Sequence, residues 1–487
     1  MKRNLPPIYL VSSEVWRQGY SFLPFGIMFV GKALVKAGFS VQLFHLHQGE
    51  ENLLYQAVLD KPPLFVGFST IIGSTLKRDI EMSRVVKKMG QVVVWGGVFA
   101  SMVPELVLKE DYVDYVVIGE GEIIAPRLAE AIAHKEPPKD IPDVGWKDNE
   151  EIKINPPSGW VEDIDQFEPG WELVDPSLYL RKFPYLEEYY WQVYFTRGCP
   201  KNCSFCYNRL DDRRRHWRAH SLEYRRSQLK FLDKFLPQKP KIISLLGDNP
   251  FGVPEKGWEI VYELKRPWAG VGRLELVRED FLKRVKETRA VYLGFGLESA
   301  SPKMLKIYNK EYAQDQALSA VELLKDYPCL YDIGMIFFGP EEELEDRREN
   351  LRFMEQARKI NPYLYFAYNP FWVFPKTPLW EKCLKQGFIP PKNIKEWSER
   401  FLDFMEIHHF NRRKWARAQT ILYLLYGRPR VIFSLPGWVH QALYRRLYNF
   451  QFNFPLEELL RVSMRGMNKL RRGSGKKSRS PFPPLSP

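Results

Sequence analysis

Apolar runs of four or five residues alternate with amphipathic stretches along the first 135 residues of the chain. The runs are typical of buried strands, and they lie at residues 8–11, 41–44, 64–68, 92–95 and 115–118. Residues 26–36 and 76–89 carry apolar positions with a 3.6-residue period and end before Gly38 and Gly90, as helices often do. This alternation predicts an α/β domain with a doubly wound parallel sheet, which binds ligands at the carboxyl ends of its strands.

The alternation resumes at residue 193 and continues to about residue 400. Predicted strands occupy residues 193–196, 241–246, 271–276, 291–294, 332–338 and 365–371. Predicted helices occupy residues 221–235, 255–264, 279–287, 314–325 and 343–359. Six strand–helix units predict an open, partial (β/α)6 barrel, whose site lies where its strands end.

Three further segments surround these two predicted domains. Residues 136–192 are rich in proline and tryptophan, which indicates an ordered linker. Residues 401–472 form a predicted helical appendage, in which residues 415–426 and 438–450 mix aromatic side chains with arginines. Such helices can pack on the protein with their charges in solvent, or lie on a membrane surface as a peripheral contact. Residues 473–487 are predicted to be disordered.

The net charge of +13 is concentrated at the end of the chain. Eight basic residues and no acidic residue occur from Arg461 onwards, which leaves an ordinary charge balance for the rest. A solubilising tail explains this excess, and attraction to anionic lipid or nucleic acid is the alternative. The chain contains no uncharged apolar stretch of about 18 residues that would predict a membrane span, and its first residues do not resemble a signal peptide. Clustered cysteines indicate a reducing compartment, so we expect a cytoplasmic protein.

Three of the five cysteines fall within eight residues and have the spacing C-x-x-x-C-x-x-C. They are Cys199, Cys203 and Cys206, and thiolates at such short spacings bind iron–sulfur clusters. Three ligands leave one iron of a [4Fe–4S] cluster open to bind and act on a small molecule. A zinc knuckle is the alternative, although structural zinc sites prefer a fourth Cys or His in a paired pattern. The nearest histidine, His216, lies in an arginine-rich run.

The segment from Thr196 to Tyr207, including the aromatic Phe205 before the last cysteine, resembles the signature of the radical S-adenosylmethionine (SAM) superfamily. The resemblance implies that the amino and carboxylate groups of SAM chelate the open iron. It also implies that the reduced cluster cleaves SAM to a 5'-deoxyadenosyl radical, which takes a hydrogen atom from the substrate. The cluster would receive its electron from an external donor of the flavodoxin or ferredoxin type.

Residues with small or polar side chains follow three predicted strands of the first domain. They are Ser69, Thr70 and Ser74 after the third strand, Gly96 and Gly97 after the fourth, and Gly119 and Glu120 after the fifth. Glycines let the backbone approach a ligand closely, and hydroxyls can hydrogen-bond it. Ordinary turn chemistry is the alternative for each group taken alone. Together the groups resemble the Rossmann-like cobalamin-binding domain that precedes the radical SAM core in one large subfamily.

One departure from that domain concerns the cobalt ligand. Free-standing cobalamin domains carry Asp-x-His-x-x-Gly between the first strand and helix, whereas this chain has no Asp-x-His, and its corresponding turn is residues 22–26. His45 and His47 follow the second strand, so surface or core roles suit them better. Many members of the subfamily lack this histidine and still bind cobalamin. We therefore expect cobalamin binding, with loss of the cofactor as the alternative.

The resemblance to the radical SAM core also suggests which residues bind SAM. Gly247, Asp248 and Asn249 end the second barrel strand, where the family places the SAM amino group. A carboxylate and an amide suit an ammonium donor, although an Asn-Pro turn also explains these residues. Arg273 is assigned to the SAM carboxylate.

Glu298 and Ser299 end the fourth barrel strand, and the resemblance places Glu298 at the ribose hydroxyls of SAM. A carboxylate can accept hydrogen bonds from two vicinal hydroxyls, and a carboxylate at a helix start is the alternative. Residues 333–341 resemble the family's adenine-facing strand. The remaining cysteines, Cys329 and Cys383, are too few for an auxiliary cluster, so we expect buried free thiols.

These features together predict a cobalamin-dependent radical SAM methyltransferase that acts on an unactivated carbon or phosphorus centre. Methylcobalamin would supply the methyl group, and a second SAM would restore it. A cobalamin-binding cyclase, oxidase or rearrangement enzyme is the main alternative, and a non-catalytic cobalamin or SAM sensor is another.

A small-molecule substrate is expected, and the aromatic content of 15% suggests a lipid, a tetrapyrrole or a natural-product intermediate. A methylthio-transferase acting on tRNA is disfavoured, because the first domain lacks its own cysteine triad and most of the basic excess lies in the tail. A nucleic-acid partner is therefore not expected.

Overall fold

The computed structural model describes residues 5–14, 22–149, 151–183, 186, 188–427, 437–450 and 452. Residues 453–472 and the predicted disordered tail at residues 473–487 lie outside this description. The described chain forms two seven-stranded sheets and one separate two-stranded hairpin. A helical segment follows the second sheet.

The first sheet contains the five strands predicted from the sequence and two more. Its strands are β1 (Ile8–Ser13), β2 (Val41–Leu46), β3 (Phe65–Ser69), β4 (Val93–Gly96), β5 (Tyr115–Val117), β6 (Val144–Asp148) and β7 (Glu151–Ile154). They are arranged in the order β2-β1-β3-β4-β5-β6-β7, and β1 to β5 are parallel. β1 and β3 are each buried at four successive positions, which is typical of strands covered by helices on both faces. The prediction of a doubly wound sheet is confirmed.

Six helices connect the strands of the first sheet. They are α1 (Phe25–Lys36), α2 (Glu51–Asp60), α3 (Leu76–Lys88), α4 (Gly97–Met102), α5 (Pro104–Leu108) and α6 (Gly121–His134). The two helices predicted from the 3.6-residue period, α1 and α3, agree to within one residue at each end. α4 and α6 begin directly beside the glycine pairs that follow β4 and β5.

The segment 136–192, which we predicted as a linker, contributes strands to both large sheets. β6 and β7 add an antiparallel hairpin to the edge of the first sheet. At its other end lie β8 (Arg181–Lys182) and β9 (Tyr189–Tyr194), which belong to the second sheet. Short runs between prolines carry too little periodicity to reveal such edge strands.

The second sheet has six parallel strands, as predicted, and β8 pairs antiparallel at its edge. The remaining strands are β10 (Thr196–Arg197), β11 (Arg218–Ala219), β12 (Ile242–Leu246), β13 (Trp268–Arg273), β14 (Ala290–Glu298), β15 (Leu330–Phe337) and β16 (Leu364–Pro370). The order is β16-β15-β14-β13-β12-β9-β8, while β10 and β11 form the separate antiparallel hairpin. This arrangement is the predicted open, partial barrel.

Helices cover the outside of the second sheet and form the C-terminal segment. They are α7 (Leu222–Phe235), α8 (Pro254–Leu264), α9 (Glu279–Thr288), α10 (Pro302–Ile307), α11 (Gln314–Leu324), α12 (Leu344–Ile360), α13 (Trp380–Lys385), α14 (Ile394–Arg400), α15 (Phe404–Ile407), α16 (Arg412–Tyr426) and α17 (Gly437–Tyr448). α16 packs Trp415 against Phe337 and Phe338 at the end of β15. No helix in the described residues is long and apolar enough to cross a membrane.

A single hydrophobic core extends from the second sheet into the first domain. Phe25 and Phe29 of α1 belong to the same buried cluster as Trp171, Trp191 and Val193. The ring of Phe25 lies 5.9 Å from that of Trp171, in an edge-on arrangement. The carboxyl ends of the two sheets are therefore held close together by packing on α1.

Candidate active site

The three clustered cysteines lie between the first two parallel strands of the second sheet, β9 and β12. The β10–β11 hairpin closes this segment at its base, and we call residues 198–217 the cluster loop. Cys203 is buried, and Cys199 and Cys206 are half-buried. Burial raises the pKa of Cys206 to about 12, and the neighbouring thiols of Cys203 and Cys199 add to the shift. The three thiols therefore lie near one another.

Among the described residues, no three cysteine, histidine or carboxylate side chains converge closely enough to bind one metal ion. A [4Fe–4S] cluster does not need such convergence, because each cysteine sulfur binds a different iron. Three neighbouring thiols are a ligand set that such a cluster can use.

Asp248 holds both ends of the cysteine segment. Its Oδ2 accepts the backbone N–H of Gly198 at 2.9 Å, and its Oδ1 accepts the hydroxyl of Tyr207 at 2.7 Å. The backbone N–H of Cys199 donates to the carbonyl of Arg214 at 3.0 Å. We predicted Asp248 as a ligand of SAM, and the structure places it at the expected strand end. Both of its oxygens, however, already accept hydrogen bonds from the loop.

Phe205 anchors the middle of the cluster loop. Its ring meets that of Tyr308 edge-on, with the centroids 5.3 Å apart. The backbone N–H of Ser204 donates to the carbonyl of Tyr308 at 3.0 Å. These contacts tie the loop to the end of α10.

Polar groups from the next two strand ends surround the thiols. Asn249 Nδ2 lies 3.5 Å from the sulfur of Cys199, and Arg273 Nη1 lies 3.1 Å from that of Cys203. Arg273 also forms an ion pair with Glu275, a residue that the sequence did not suggest. Asn249 Oδ1 and Glu275 Oε2 are buried and have no hydrogen-bond partner among the described residues. Two free acceptors beside the thiols suit the ammonium group of an amino acid such as SAM.

Glu298 is the last residue of β14. The strand has a bulge there, and the backbone of Glu298 is left-handed, with a φ of +73°. Its Oε1 is 3.4 Å from Nζ of the buried Lys310, which also donates to the carbonyl of Gly296 at 2.9 Å. The carboxylate is therefore held in place by a cation, and its role at the ribose stays a prediction.

Ser299 is not brought to the mouth of the barrel. It is completely buried, and its hydroxyl donates to Asn350 Oδ1 of α12 at 2.9 Å. The same oxygen accepts the backbone N–H of Ala300. The chain turns directly after Glu298 into the outer helical layer, so the Ser299 hydroxyl supports packing and does not face a ligand. Our assignment of Ser299 to a cofactor is at odds with this position.

A cavity of about 500 Å³ lies between the carboxyl end of the first sheet and the cluster loop. From the first domain, its lining includes Ser69, Gly96, Gly97, Gly119 and Glu120, five of the seven residues predicted to bind cobalamin. A Cβ atom on Gly97 would come within 2.8 Å of the backbone of Thr70, so this close approach requires glycine. The protein's own side chains leave the cavity open, which fits the insertion of a bulky cofactor tail.

The second domain lines the other end of the same cavity. Tyr207 and Asp248 contribute from the cluster loop and from the end of β12, and Tyr194 contributes from β9. One continuous space therefore connects the glycine-rich strand ends with the residues that brace the cysteines. Trp160 forms part of its wall and stacks on His216 with a centroid distance of 3.9 Å.

Three other residues that we predicted to bind a cofactor either make contacts within the protein or lie away from the cavity. Thr70 is buried, and its hydroxyl donates to the carbonyl of Gly96 at 2.9 Å, so it shapes the cavity wall from behind. Ser74 is exposed and does not line the cavity, because the chain has already turned towards α3. Gly247 has a φ of +148°, and a Cβ there would lie 2.7 Å from Thr196 Oγ1.

His45, which lies within β2, and His47, which follows it, do not reach the cavity. His45 Nδ1 is 2.8 Å from the hydroxyl of Tyr179, and its Nε2 is 3.3 Å from Glu14. Neither His45 nor His47 lines the cavity. This agrees with the expectation that neither histidine is a cobalt ligand.

The sequence analysis missed an ion cluster beside the cavity. Arg197 and Arg218, from the hairpin that closes the cluster loop, contact Glu120 and Glu122 of the first domain. Each arginine is 75 to 98 residues away in the sequence from the glutamates that it contacts. A charge pattern along the chain does not reveal such pairing, although Arg197 stands directly before the cysteine motif.

Fold and site together define a redox enzyme with two α/β domains, in which one cavity extends from a glycine-lined strand edge to the loop that carries three clustered cysteines. Comparison with known proteins identifies both domains. Residues 193–354 match the radical SAM superfamily, and residues 17–129 match the B12 binding domain. The protein is therefore a radical SAM enzyme with an N-terminal cobalamin-binding domain, and its cofactors are a [4Fe–4S] cluster, SAM and cobalamin.

Relatives and solved structures match most of the chain. An uncharacterized methyltransferase of Pyrococcus horikoshii is 27% identical over 378 residues, which are 73% of this chain and 77% of that protein. The structure of the cobalamin-dependent SAM radical enzyme OxsB with aqua-cobalamin bound superposes with a TM-score of 0.68, at 17% identity, covering 98% of this chain and 78% of OxsB.

The radical SAM methyltransferase TsrM of Kitasatospora setae, solved with cobalamin and a [4Fe–4S] cluster, superposes with a TM-score of 0.63. The identity is 16%, and the match covers 78% of this chain and 75% of TsrM. At such identities these two likenesses establish the shared fold.

Proposed function

We propose that this protein is a cobalamin-dependent radical SAM methyltransferase that acts on an unactivated carbon or phosphorus centre of a small molecule. The observation that carries the proposal is the single cavity lined both by Gly97 and Gly119 of the first domain and by Tyr207 and Asp248 beside the cysteines. A radical generated at one end and a methyl donor held at the other would reach the same substrate.

When bound, the cluster supplies the electron that cleaves SAM, and cobalamin supplies the methyl group. The chain's own residues bind and orient these groups. Cys199, Cys203 and Cys206 would hold the cluster, Asn249 and Glu275 would accept hydrogen bonds from the SAM ammonium, and the glycines of the first domain would admit the cobalamin tail. Asp248 positions the cluster loop from both sides.

The cavity walls support a substrate with an apolar or planar part. Tyr194, Tyr207 and Trp160 line the space near the cluster loop, and such rings pack well against flat molecules. A lipid, a tetrapyrrole or a natural-product intermediate would meet this requirement. The electron is proposed to come from a flavodoxin or ferredoxin, and peripheral membrane contact through the arginine-rich helices α16 and α17 also belongs to this proposal.

Single-turnover chemistry tests the assignment. Protein with a reconstituted cluster, given dithionite, SAM and methylcobalamin, is expected to release 5'-deoxyadenosine, and Cys203→Ala is expected to abolish this release. Cys329→Ala is the matched control, because Cys329 is buried directly before β15 and does not line the cavity. Release by the Cys203→Ala protein would refute the radical SAM assignment.

Product mass separates methyl transfer from its alternative. A methyltransferase adds one methylene unit to each molecule of substrate consumed. A substrate that is consumed without this gain in mass would contradict methyl transfer and would favour a cyclase, oxidase or rearrangement enzyme.

A further inference from the structure

Four charged residues connect the two domains next to the cysteines, and we call Arg197, Arg218, Glu120 and Glu122 the interdomain clamp. Arg218 contacts both carboxylate oxygens of Glu120, at 2.7 and 3.1 Å. Arg197 lies 3.3 Å from Glu120 and 2.5 Å from Glu122. The side chains of Arg197, Arg218 and Glu122 are each at most 10% exposed. Ion pairs removed from water in this way are much less screened than surface pairs.

The clamp acts on the base of the cluster loop. Arg197 and Arg218 are directly opposite each other in the two-residue ladder of β10 and β11. Like charges at opposite positions of an antiparallel pair repel each other and destabilise it. Glu120 contacts both guanidinium groups, so its negative charge offsets this repulsion. Closure of the hairpin therefore depends on a carboxylate from the other domain.

The clamp residues also lie next to the cluster loop on one side and next to the cavity on the other. Arg197 is followed by Gly198 and Cys199, and its guanidinium lies over the rings of Phe29 and Phe167 at 4.7 and 5.0 Å. A displacement of Arg197 would therefore move the first cysteine of the cluster loop.

On the other side, Glu120 lines the cavity assigned to cobalamin, and one third of its side chain is exposed there. Gly119, just before it, has a left-handed backbone (φ of +78°), and its N–H donates a hydrogen bond to the Ser101 hydroxyl oxygen at 2.9 Å. A ligand in the cavity would therefore pack against the residue that holds the hairpin closed, and would confine its side chain.

We propose that Glu120 is a positioning residue that couples the cavity to the cluster: it holds the cluster loop closed, and cobalamin in the cavity stabilises that closed state. The inference rests on the cofactors of the proposed function and does not depend on the reaction they perform. By reciprocity of linked equilibria, an assembled cluster would also strengthen cobalamin binding.

The test measures how fast the reconstituted cluster loses iron to a chelator, with and without hydroxocobalamin, and measures hydroxocobalamin affinity by optical titration. In the unmodified protein, hydroxocobalamin is expected to slow iron loss about tenfold, which is typical of coupled sites. Glu120→Gln is expected to lose iron faster without cobalamin and to gain little protection from it, although it still binds cobalamin.

Two further variants make the result interpretable. Glu172→Gln is the matched control, because Glu172 pairs with Lys32 of α1 at 2.6 Å and does not line the cavity. It is expected to behave like the unmodified protein. Glu120→Gln combined with Arg218→Met removes the charge of both partners and leaves no unpaired arginine at position 218, so it covers the case in which Glu120→Gln does not fold. It is expected to lose the protection as well.

Full protection by hydroxocobalamin in the Glu120→Gln protein, or in the double variant, would overturn the inference. So would an unmodified protein that binds hydroxocobalamin but releases iron at the same rate with and without it. Failure of the proposed function looks different, because protection of the cluster would persist while the product gained no methyl group.

Discussion

At the scale of single residues, Asp79 is a buried carboxyl group with few partners. It lies in the first turn of α3, where the Ser13 hydroxyl donates to its Oδ1 at 2.5 Å and its Oδ2 has no partner among the described residues. Burial raises the pKa of Asp79 to about 7, and the hydrogen bond from Ser13 and the charge of Arg78 only partly oppose the shift. The folded protein therefore keeps a proton on Asp79 that the unfolded chain releases near pH 4.

The contribution of Asp79 to stability is expected to fall as the pH rises from about 4 to 7, because a group with a raised pKa loses its contribution over that range. Asp79→Asn keeps an oxygen for the Ser13 hydroxyl and removes the titration. We expect this variant to be more stable than the unmodified protein at pH 8, and its advantage to shrink by about 2 kcal/mol at pH 5. Urea unfolding at both pH values measures the difference.

Asp60→Asn is the control for this prediction, because Asp60 is exposed at the end of α2. At either pH, its effect on the free energy of unfolding should be no more than about 0.5 kcal/mol, as is usual for an exposed position. An Asp79→Asn effect that is equal at pH 5 and pH 8 would contradict the assigned protonation.

At the scale of elements, the cofactor cavity depends on how β4 passes into α4. Gly97 begins the helix with a φ of +87°, and a Cβ there would lie 2.7 Å from the carbonyl oxygen of Thr70. Thr70 is itself fixed by its hydrogen bonds to the carbonyl of Gly96. The backbone of this turn forms the cavity wall, so a side chain would push β3 and β4 apart.

Gly97→Ala is expected to destabilise the protein by about 1–2 kcal/mol through left-handed strain and by about 1–3 kcal/mol more through the clash with Thr70. It should also weaken hydroxocobalamin binding. Gly90→Ala is the matched control, because Gly90 has a φ of +78° and nothing within 4 Å of its added Cβ. Urea unfolding measures the stability of both variants, and optical titration measures their affinity for hydroxocobalamin. Equal effects of the two substitutions would contradict this account.

At the scale of the whole molecule, one hydrophobic cluster spans both domains through the beginning of α1. Phe25 of α1 packs against Trp171 and Tyr194, with ring centroids 5.9 and 5.6 Å apart. The backbone N–H of Leu23 donates to the buried side chain of Gln192 at 2.8 Å. Together with the interdomain clamp, these contacts mean that packing against the first domain helps to stabilise the barrel.

Thermal unfolding is therefore expected to occur in one cooperative transition that involves both domains. Phe25→Ala should lower the stability by about 3 kcal/mol and shift the entire calorimetric transition to lower temperature. Leu59→Ala should change the stability by no more than about 0.5 kcal/mol, because Leu59 is 66% exposed on α2. Two separate transitions, with only one shifted in Phe25→Ala, would show that the domains unfold independently.

The sequence predicted the elements that have a clear period or a long apolar run. All eleven predicted strands occur, and the largest differences lie at β9, which begins at Tyr189, and at β14, which continues to Glu298. Short elements such as α10 and the β6–β7 hairpin were missed, because a few residues do not define a period. Edge strands in a proline-rich segment give a similarly weak signal.

The prediction of three thiols as cluster ligands could also be made from the sequence, because the chemistry of thiolates and their short spacing are local properties. The partners of the remaining site residues were not. Glu298 was expected at a ribose and is paired with Lys310, and Ser299 was expected at a cofactor and donates to Asn350. Which way a side chain points after a strand depends on the turn that follows, and spacing alone does not determine it.

The sequence by itself determined the two α/β domains and the three thiols that would bind the cluster, since periodicity and ligand spacing act over a few residues. Only the tertiary structure decided that one cavity joins the two domains, and that Glu120 contacts Arg218 from 98 residues away. Contacts between distant residues depend on how the chain packs, because folding brings together charged side chains that are far apart in the sequence. The sequence therefore indicated which groups are present, and folding decided which of them act on one another.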